Sequence, residues 1–183
     1  MKGVVFTEFV EMVEEKFSPE MAELIIESSN LPSQGIYTAV GTYGHAEMLK
    51  LVTRLSEETG IEVPDLVRAF GYHLFGRFAV MYTPLFQDLT SVFSFLKRVD
   101  NHIHVEVRKL YEDTELPRIE CKETATGEMN VVYRSRRHFA DLAEGLIEGC
   151  IDHFGEALQL EREDSSPAEG SHVRFTLSTA PAS

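Results

Sequence analysis

Two short stretches carry residue types that could grip a ligand. The first, NHIHVEVRKLY at residues 101–111, sets His102 and His104 in a segment of apolar periodicity. A neutral imidazole can coordinate a metal through one ring nitrogen while the other donates a hydrogen bond. On a helix turning about 100° per residue, His104 falls beside Ile103, at the edge of a stripe formed by Ile103, Val107 and Leu110. It shares a side with Val107 and Tyr111, whereas His102 lies roughly 200° round and is expected in solvent. A lone histidine at such an edge is equally compatible with plain packing. The second stretch, YRSRR at 133–137, alternates a phenol, a hydroxyl and a guanidinium. In a strand, Tyr133, Ser135 and Arg137 point to one side and Arg134 and Arg136 to the other. Arg137 can take a carboxylate bidentately with both hydroxyls donating alongside. The same residues could instead form an exposed basic strand end.

Histidines two apart cannot chelate from one helical face. No HExxH, CxxC or other close ligand set is present, so a protein-only zinc site is not expected. One axial histidine suits haem, because the porphyrin supplies the other four nitrogens. Haem then demands a large apolar slot, together with cations or hydroxyls for two propionates, and YRSRR meets the second demand.

The elements that must position these residues are legible from periodicity. Phe6, Phe9, Val10 and Val13 predict an opening amphipathic helix. Ser18-Pro19-Glu20 caps a second helix reaching about Ser29. A turn-rich loop precedes a third helix from about His45 to Thr59, which stops at Gly60. Val63-Pro64-Asp65 starts a fourth, with Leu66, Phe70, Leu74 and Phe78 on one face. One further helical run is expected from Thr83-Pro84 through Val99, and 101–111 as the next helix. Residues 118–123 and 128–134 bracket Ala125-Thr126-Gly127 as a hairpin. A helix from about Arg137 to Phe154 and strands near 157–162 and 172–178 follow. Helices first, then strands with one inserted helix, predict an α+β fold: an N-terminal helical bundle and a small antiparallel sheet of about four strands.

The chain has 183 residues, enough for one domain with a real core. The expected layout is a single domain over 1–183, with a helical part to about 111, a helix-plus-sheet part over about 112–179 and a short tail at 180–183. No linker or attached effector domain is expected. Hydrophobic residues make up 43 %, a globular composition, and the net charge of -13 disfavours nucleic acid and anionic membranes as partners. Cys121 and Cys150 form no disulfide framework, which fits a reducing, cytoplasmic compartment. The amphipathic N-terminus is expected to be neither a signal peptide nor a membrane span.

Taken together, the histidine of NHIHVEVRKLY, the proline of ELPRIEC and the Tyr-x-Ser-x-Arg pattern resemble the haem nitric oxide/oxygen binding family, which includes the haem domain of soluble guanylate cyclase. GLIEGCIDHF looks like that family's late helix. The resemblance spans nearly the whole chain, to about Leu177. It implies haem b buried between the two parts of the fold. It implies His104 as the iron ligand, Pro117 packed against the haem, and Tyr133, Ser135 and Arg137 as a propionate clamp. The family's tyrosine seven residues after its ligand, and proline thirteen after it, fall at Tyr111 and Pro117 when counted from His104, not from His102.

Oxygen-binding members resemble one another in carrying a distal tyrosine, a tryptophan and an asparagine. The matching positions here are Leu142, Phe9 and Leu74, none of which can donate a hydrogen bond. Bound oxygen becomes polar and needs such a donor, whereas nitric oxide and carbon monoxide depend on it far less. Val5, Phe78 and Leu146 are expected to complete the apolar lining. The resemblance therefore implies a nitric oxide sensor without enzymatic activity, signalling by release of the proximal histidine. The separate partner would be a sensor histidine kinase or a cyclic-di-GMP enzyme. Two rival classes stay open on the residues alone. One is a haem enzyme of peroxidase or oxygenase type, which needs a distal acid/base pair, with His73 the only nearby histidine. The other is a haem-free helical interaction module using YRSRR to dock.

Overall fold

The computed structural model describes residues 1–110, 116–165 and 171–179, with backbone alone at Leu110. Helices α1 (Gly3–Lys16), α2 (Pro19–Ser28), α3 (His45–Thr59) and α4 (Val63–Met81) form the N-terminal bundle. Its core is apolar and contiguous, centred on Phe6, Phe9, Ile25, Leu51 and Leu55 from three helices, with Leu66, Phe70 and Leu74 from α4. The Ser18 hydroxyl accepts from the Met21 amide and Pro19 occupies the first turn, so α2 starts where its capping residues dictate. Gly60 ends α3 in the left-handed region at φ 72°, its amide donating to the Ser56 carbonyl.

Beyond α4 the chain differs from expectation. The run after Thr83-Pro84 is not one helix. A four-residue turn, α5 (Thr83–Phe86), is followed by a break in which Asp88 adopts φ 65°. Helix α6 (Val92–Arg98) then restarts behind a capping box made by Ser91 and Ser94. Nor is 101–111 a separate helix. Alpha-helix α6 runs through a π-helical turn, Val99–Ile103, directly into α7 (His104–Leu110). Tyr111 lies outside the described residues.

The C-terminal part contains β1 (Arg118–Ala125), β2 (Glu128–Ser135), α8 (Ala140–Phe154), β3 (Leu158–Ser165) and β4 (Ser171–Thr179). The strands form one antiparallel sheet in the order β1-β2-β4-β3. Met129, Val131 and Tyr133 alternate along β2 and pair with Leu177, Phe175 and Val173 of β4. All six are buried, so period-two alternation gives the sheet one apolar face. Helix α8 begins at Ala140 rather than Arg137, because residues 136–138 bend between strand and helix. The fold is α+β, a helical bundle followed by a four-stranded antiparallel sheet with an inserted helix.

Helix α8 is attached chiefly to α4. Gly71, Gly145 and Gly149 let the two backbones meet. The Arg68 guanidinium pairs with Glu148, and the Tyr72 hydroxyl donates to Asp152 at 2.6 Å. Through α8, the helical bundle and the sheet enclose a common space.

Candidate functional site

Between the bundle and the sheet lies a cavity of about 320 Å³, within the range of small-molecule and cofactor sites. Its wall is almost wholly apolar. Val5 of α1, Leu74 and Phe78 of α4, and Leu142 and Leu146 of α8 all contribute. The sheet adds Ile119, Val131 and Phe175, and the α6–α7 segment adds Val99, Ile103 and Val107. Pro117 lines it too. Phe9 does not: it is fully buried inside the bundle, edge-on to Phe70 at 5.1 Å between ring centroids. A large aromatic on the inner face of α1 is drawn into the helical core, one turn away from Val5, which reaches the cavity together with Val4.

His104 is the only histidine in the described wall. Its side chain is 12 % exposed, and burial lowers its pKa below the ordinary imidazole value, opposed by the nearby Asp100 carboxylate. The neutral ring is therefore favoured, the form that can coordinate a metal. Its Nδ1 is buried without a satisfactory hydrogen bond, and the nearest anionic oxygen is Asp100 Oδ1 at 3.4 Å. With Nδ1 turned toward Asp100, Nε2 on the opposite edge of the ring is the nitrogen left for the cavity. His102, two residues earlier in the π-helical turn, is exposed. His73 does not line the cavity; it sits in the field of Glu8 and Glu15 on α1 and of Arg77.

Tyr133, Ser135 and Arg137 also reach the cavity, although Arg137 lies beyond the end of β2 rather than on it. The Arg137 amide donates to the Ser135 hydroxyl at 3.0 Å, and the Ser171 hydroxyl donates to the Arg137 carbonyl at 3.2 Å. This bend, pinned from both sides, keeps the guanidinium near the two hydroxyls without strand geometry. Burial raises the Tyr133 phenol, with Ser135 and the Arg137 charge opposing, so Tyr133 stays protonated and able to donate. Lys2 and Tyr82 are further polar wall residues, Tyr82 continuing the four-residue spacing of Leu74 and Phe78. The Lys2 ammonium is bonded to the Thr42 hydroxyl at 2.8 Å, and the short bridge between Lys2 and Thr42 is a long-range pairing with no local signature.

The donor set decides what can fit. Among the described residues no cluster of three or more His, Cys, Asp or Glu side chains could cage a metal ion. A metal held at His104 needs its remaining donors from the cofactor itself, as haem provides. An apolar slot with one imidazole, and a cation with two hydroxyls from another element, meets the needs of an iron porphyrin bearing two carboxylates. Cys121 and Cys150 lie away from such chemistry. Burial pushes the Cys121 thiol up to about 11 and raises that of Cys150 as well, and the Cys121 thiol lies 3.4 Å from the Leu96 carbonyl.

The sequence profile of the Haem-NO-binding family matches residues 2–162. Among solved structures, the chain is similar to the Fe(II) unliganded H-NOX protein from K. algicida. The two share 35 % identity and a TM-score of 0.91, over 100 % of this chain and 98 % of that one. It is also similar to the H-NOX from Shewanella woodyi in its Fe(II)CO state bound to IWP-051, with 38 % identity and a TM-score of 0.84 over 99 % and 95 % of the two chains. An S. oneidensis H-NOX at 24 % identity and a TM-score of 0.90 shares the fold, with 100 % of this chain and 98 % of that one covered. No curated protein sequence matches this chain. The profile match and these likenesses place the chain in the haem-NO-binding, or H-NOX, family.

Proposed function

We propose that His104 carries the haem iron, that Tyr133, Ser135 and Arg137 clamp the propionates, and that Pro117 packs against the macrocycle. The observation that carries this assignment is the pairing of one buried imidazole with an otherwise apolar cavity that ends at an Arg-hydroxyl cluster. As a family member the protein binds haem b and is a sensor of nitric oxide and carbon monoxide, not an enzyme, and its signal passes in trans to a partner. When bound, haem would supply a ferrous iron able to take up a diatomic gas, with His104 as the protein residue that holds it.

The chain's own residues give the response its direction. Val5, Leu74, Phe78, Leu142 and Leu146 exclude water and bring no hydrogen-bond donor, which disfavours oxygen relative to nitric oxide. His104 joins the cavity to α7 and its π-turn, so freeing the imidazole frees that segment to move against β1 and the sheet. A ligand can shift such a two-state element only by binding one state better. We assign 1–183 to one sensor domain acting in the cytoplasm. Its partner is a sensor histidine kinase or a cyclic-di-GMP enzyme. Among the described residues no helix is long and apolar enough to cross a membrane.

The test is an absorption spectrum of the reduced protein with and without nitric oxide. A Soret band that moves to the position of a five-coordinate iron centre on adding nitric oxide, with no stable oxygen complex in air, is the expected result. A protein that takes up no haem, or whose His104→Gly variant keeps the wild-type iron–nitrogen signal without added imidazole, overturns the assignment.

A further inference from the structure

The Nδ1 atom of His104 needs an acceptor. A histidine that coordinates through Nε2 presents an N–H at Nδ1, and the partner of that N–H fixes the ring's orientation and its strength as a ligand. In this structure Nδ1 is buried and has no good hydrogen bond, and no backbone carbonyl partners it. The carboxylate of Asp100 is the anionic group facing it, with Oδ1 at 3.4 Å, a few tenths of an ångström beyond a formed N–H···O bond. Asp100 belongs to the π-helical turn Val99–Ile103 that leads into His104. That turn packs against β1, where Cys121 senses the Asp100 charge, so the carboxylate sits in a defined place rather than on a mobile tail. Its side chain is 28 % exposed, and no described cation forms an ion pair with it. Lys97, one turn earlier, is instead committed to Glu123 at 2.6 Å.

Resting on the assignment of His104 as iron ligand, we infer that Asp100 is its positioning residue: a carboxylate that receives the Nδ1 hydrogen bond, orients the ring toward the cavity and strengthens its hold on the iron. A small rotation of the imidazole closes the remaining gap. Hydrogen bonding to an anion makes the imidazole a stronger donor. With haem bound, the bond from His104 to the iron would be stronger and harder to release, and the oxidised haem would be favoured relative to the reduced. Asp100 would thereby set how readily a bound gas frees the α7 segment.

The experiment compares holoprotein of wild type, Asp100→Asn, Asp100→Ala and Asp100→Glu. The readouts are the iron–histidine stretching line in the resonance Raman spectrum of the reduced, ligand-free state, and the haem reduction potential. Haem stoichiometry and far-UV circular dichroism control for folding. The expected result is a line shifted to lower frequency and a more positive potential in the Asn and Ala variants, with both returned toward wild type by Glu. Histidine release on adding nitric oxide should also be several-fold faster in Asp100→Asn. A wild-type line that stays at the same frequency in a haem-replete Asn variant overturns the role of Asp100 while leaving His104 as ligand. A wild type without any iron–histidine line overturns both readings.

Discussion

The backbone of Gly145 on α8 lies directly against the carbonyl oxygen of Arg68 on α4, so closely that a Cβ built on Gly145 would overlap that oxygen. Gly71 on α4 makes the reciprocal contact with the Leu142 carbonyl, and at Gly149 an added Cβ would stand 2.8 Å from Phe75 Cβ. Two helices that bring Leu74, Phe78, Leu142 and Leu146, among others, to the cavity are thus spaced by main chain rather than side chains. Replacing Gly145 with alanine should gain up to about 1 kcal/mol of helix propensity. It should lose more, about 1–3 kcal/mol, because an overlapped backbone cannot step aside as a rotamer can. The expected outcome is a lower urea midpoint with an unchanged slope, accompanied by faster haem loss.

Leu142 lines the cavity, and in the proposed site a hydrogen-bond donor at this position would meet a diatomic guest. A Leu142→Tyr variant introduces one on the rigid α8 frame. A donor to a partly charged acceptor contributes about 1.5–3 kcal/mol, roughly a ten- to hundredfold slower oxygen dissociation. Flash photolysis in air-equilibrated buffer measures it, and carbon monoxide kinetics should change far less. Equal effects on both gases would mean that the tyrosine acts by bulk alone.

Arg137 is held at the bend after β2 by Ser135 and Ser171. If its guanidinium grips a propionate, Arg137→Ala should weaken haem retention by about ten- to hundredfold, the equivalent of one charge-assisted hydrogen bond of about 1.5–3 kcal/mol. Arg137→Lys should recover part of this, since it keeps the charge and loses the fork. Transfer of haem to an excess of apomyoglobin gives the rates.

Tyr37 predicts a pH dependence remote from the cavity. Its ring stacks on Phe6 at 4.5 Å between centroids, and its hydroxyl donates to the buried Glu47 carboxylate at 3.3 Å. Burial pushes the phenol up to about 12, opposed by Ser33 and reinforced by the Glu47 charge. A raised folded-state value means that the neutral form is favoured in the fold. That contribution is complete below the ordinary tyrosine value near 10 and is lost as pH rises through about 12. Stability by urea titration should fall over this window in wild type, and the fall should be shallower in Tyr37→Phe.

The site was legible in the sequence where chemistry and spacing coincide. His104 was separable from His102 by helical phase and by its distance to Pro117, and the structure puts one in the cavity wall and the other in solvent. Gly60 and Ser18 announced helix ends because each satisfies backbone groups locally. Phe9 was not resolved, since an amphipathic helix has a single apolar face and periodicity cannot say which turn of it meets a cavity and which a core. The helix break at residues 87–91 was missed because apolar residues on either side kept the rhythm, while the left-handed Asp88 and the Ser91 cap carry the stop. Lys2 was invisible because it is placed by a long-range bridge to Thr42, whereas Tyr82 continues the four-residue spacing of Leu74 and Phe78 and was passed over. Arg137 reached its place by a bend, not by the strand alternation that first suggested it.

The π-turn at Val99–Ile103 holds one residue more than an ordinary helical turn would need for the same advance. Deleting a single amino acid there, for example Asn101, would let α6 run unbroken into α7 with both flanks kept in phase, so His104 would still face the cavity. The same deletion in a plain α-helical stretch would instead turn everything after it by about 100°. The π-turn therefore absorbs a one-residue difference in length without moving the histidine, and related chains should be aligned across it by structure before their ligands are counted.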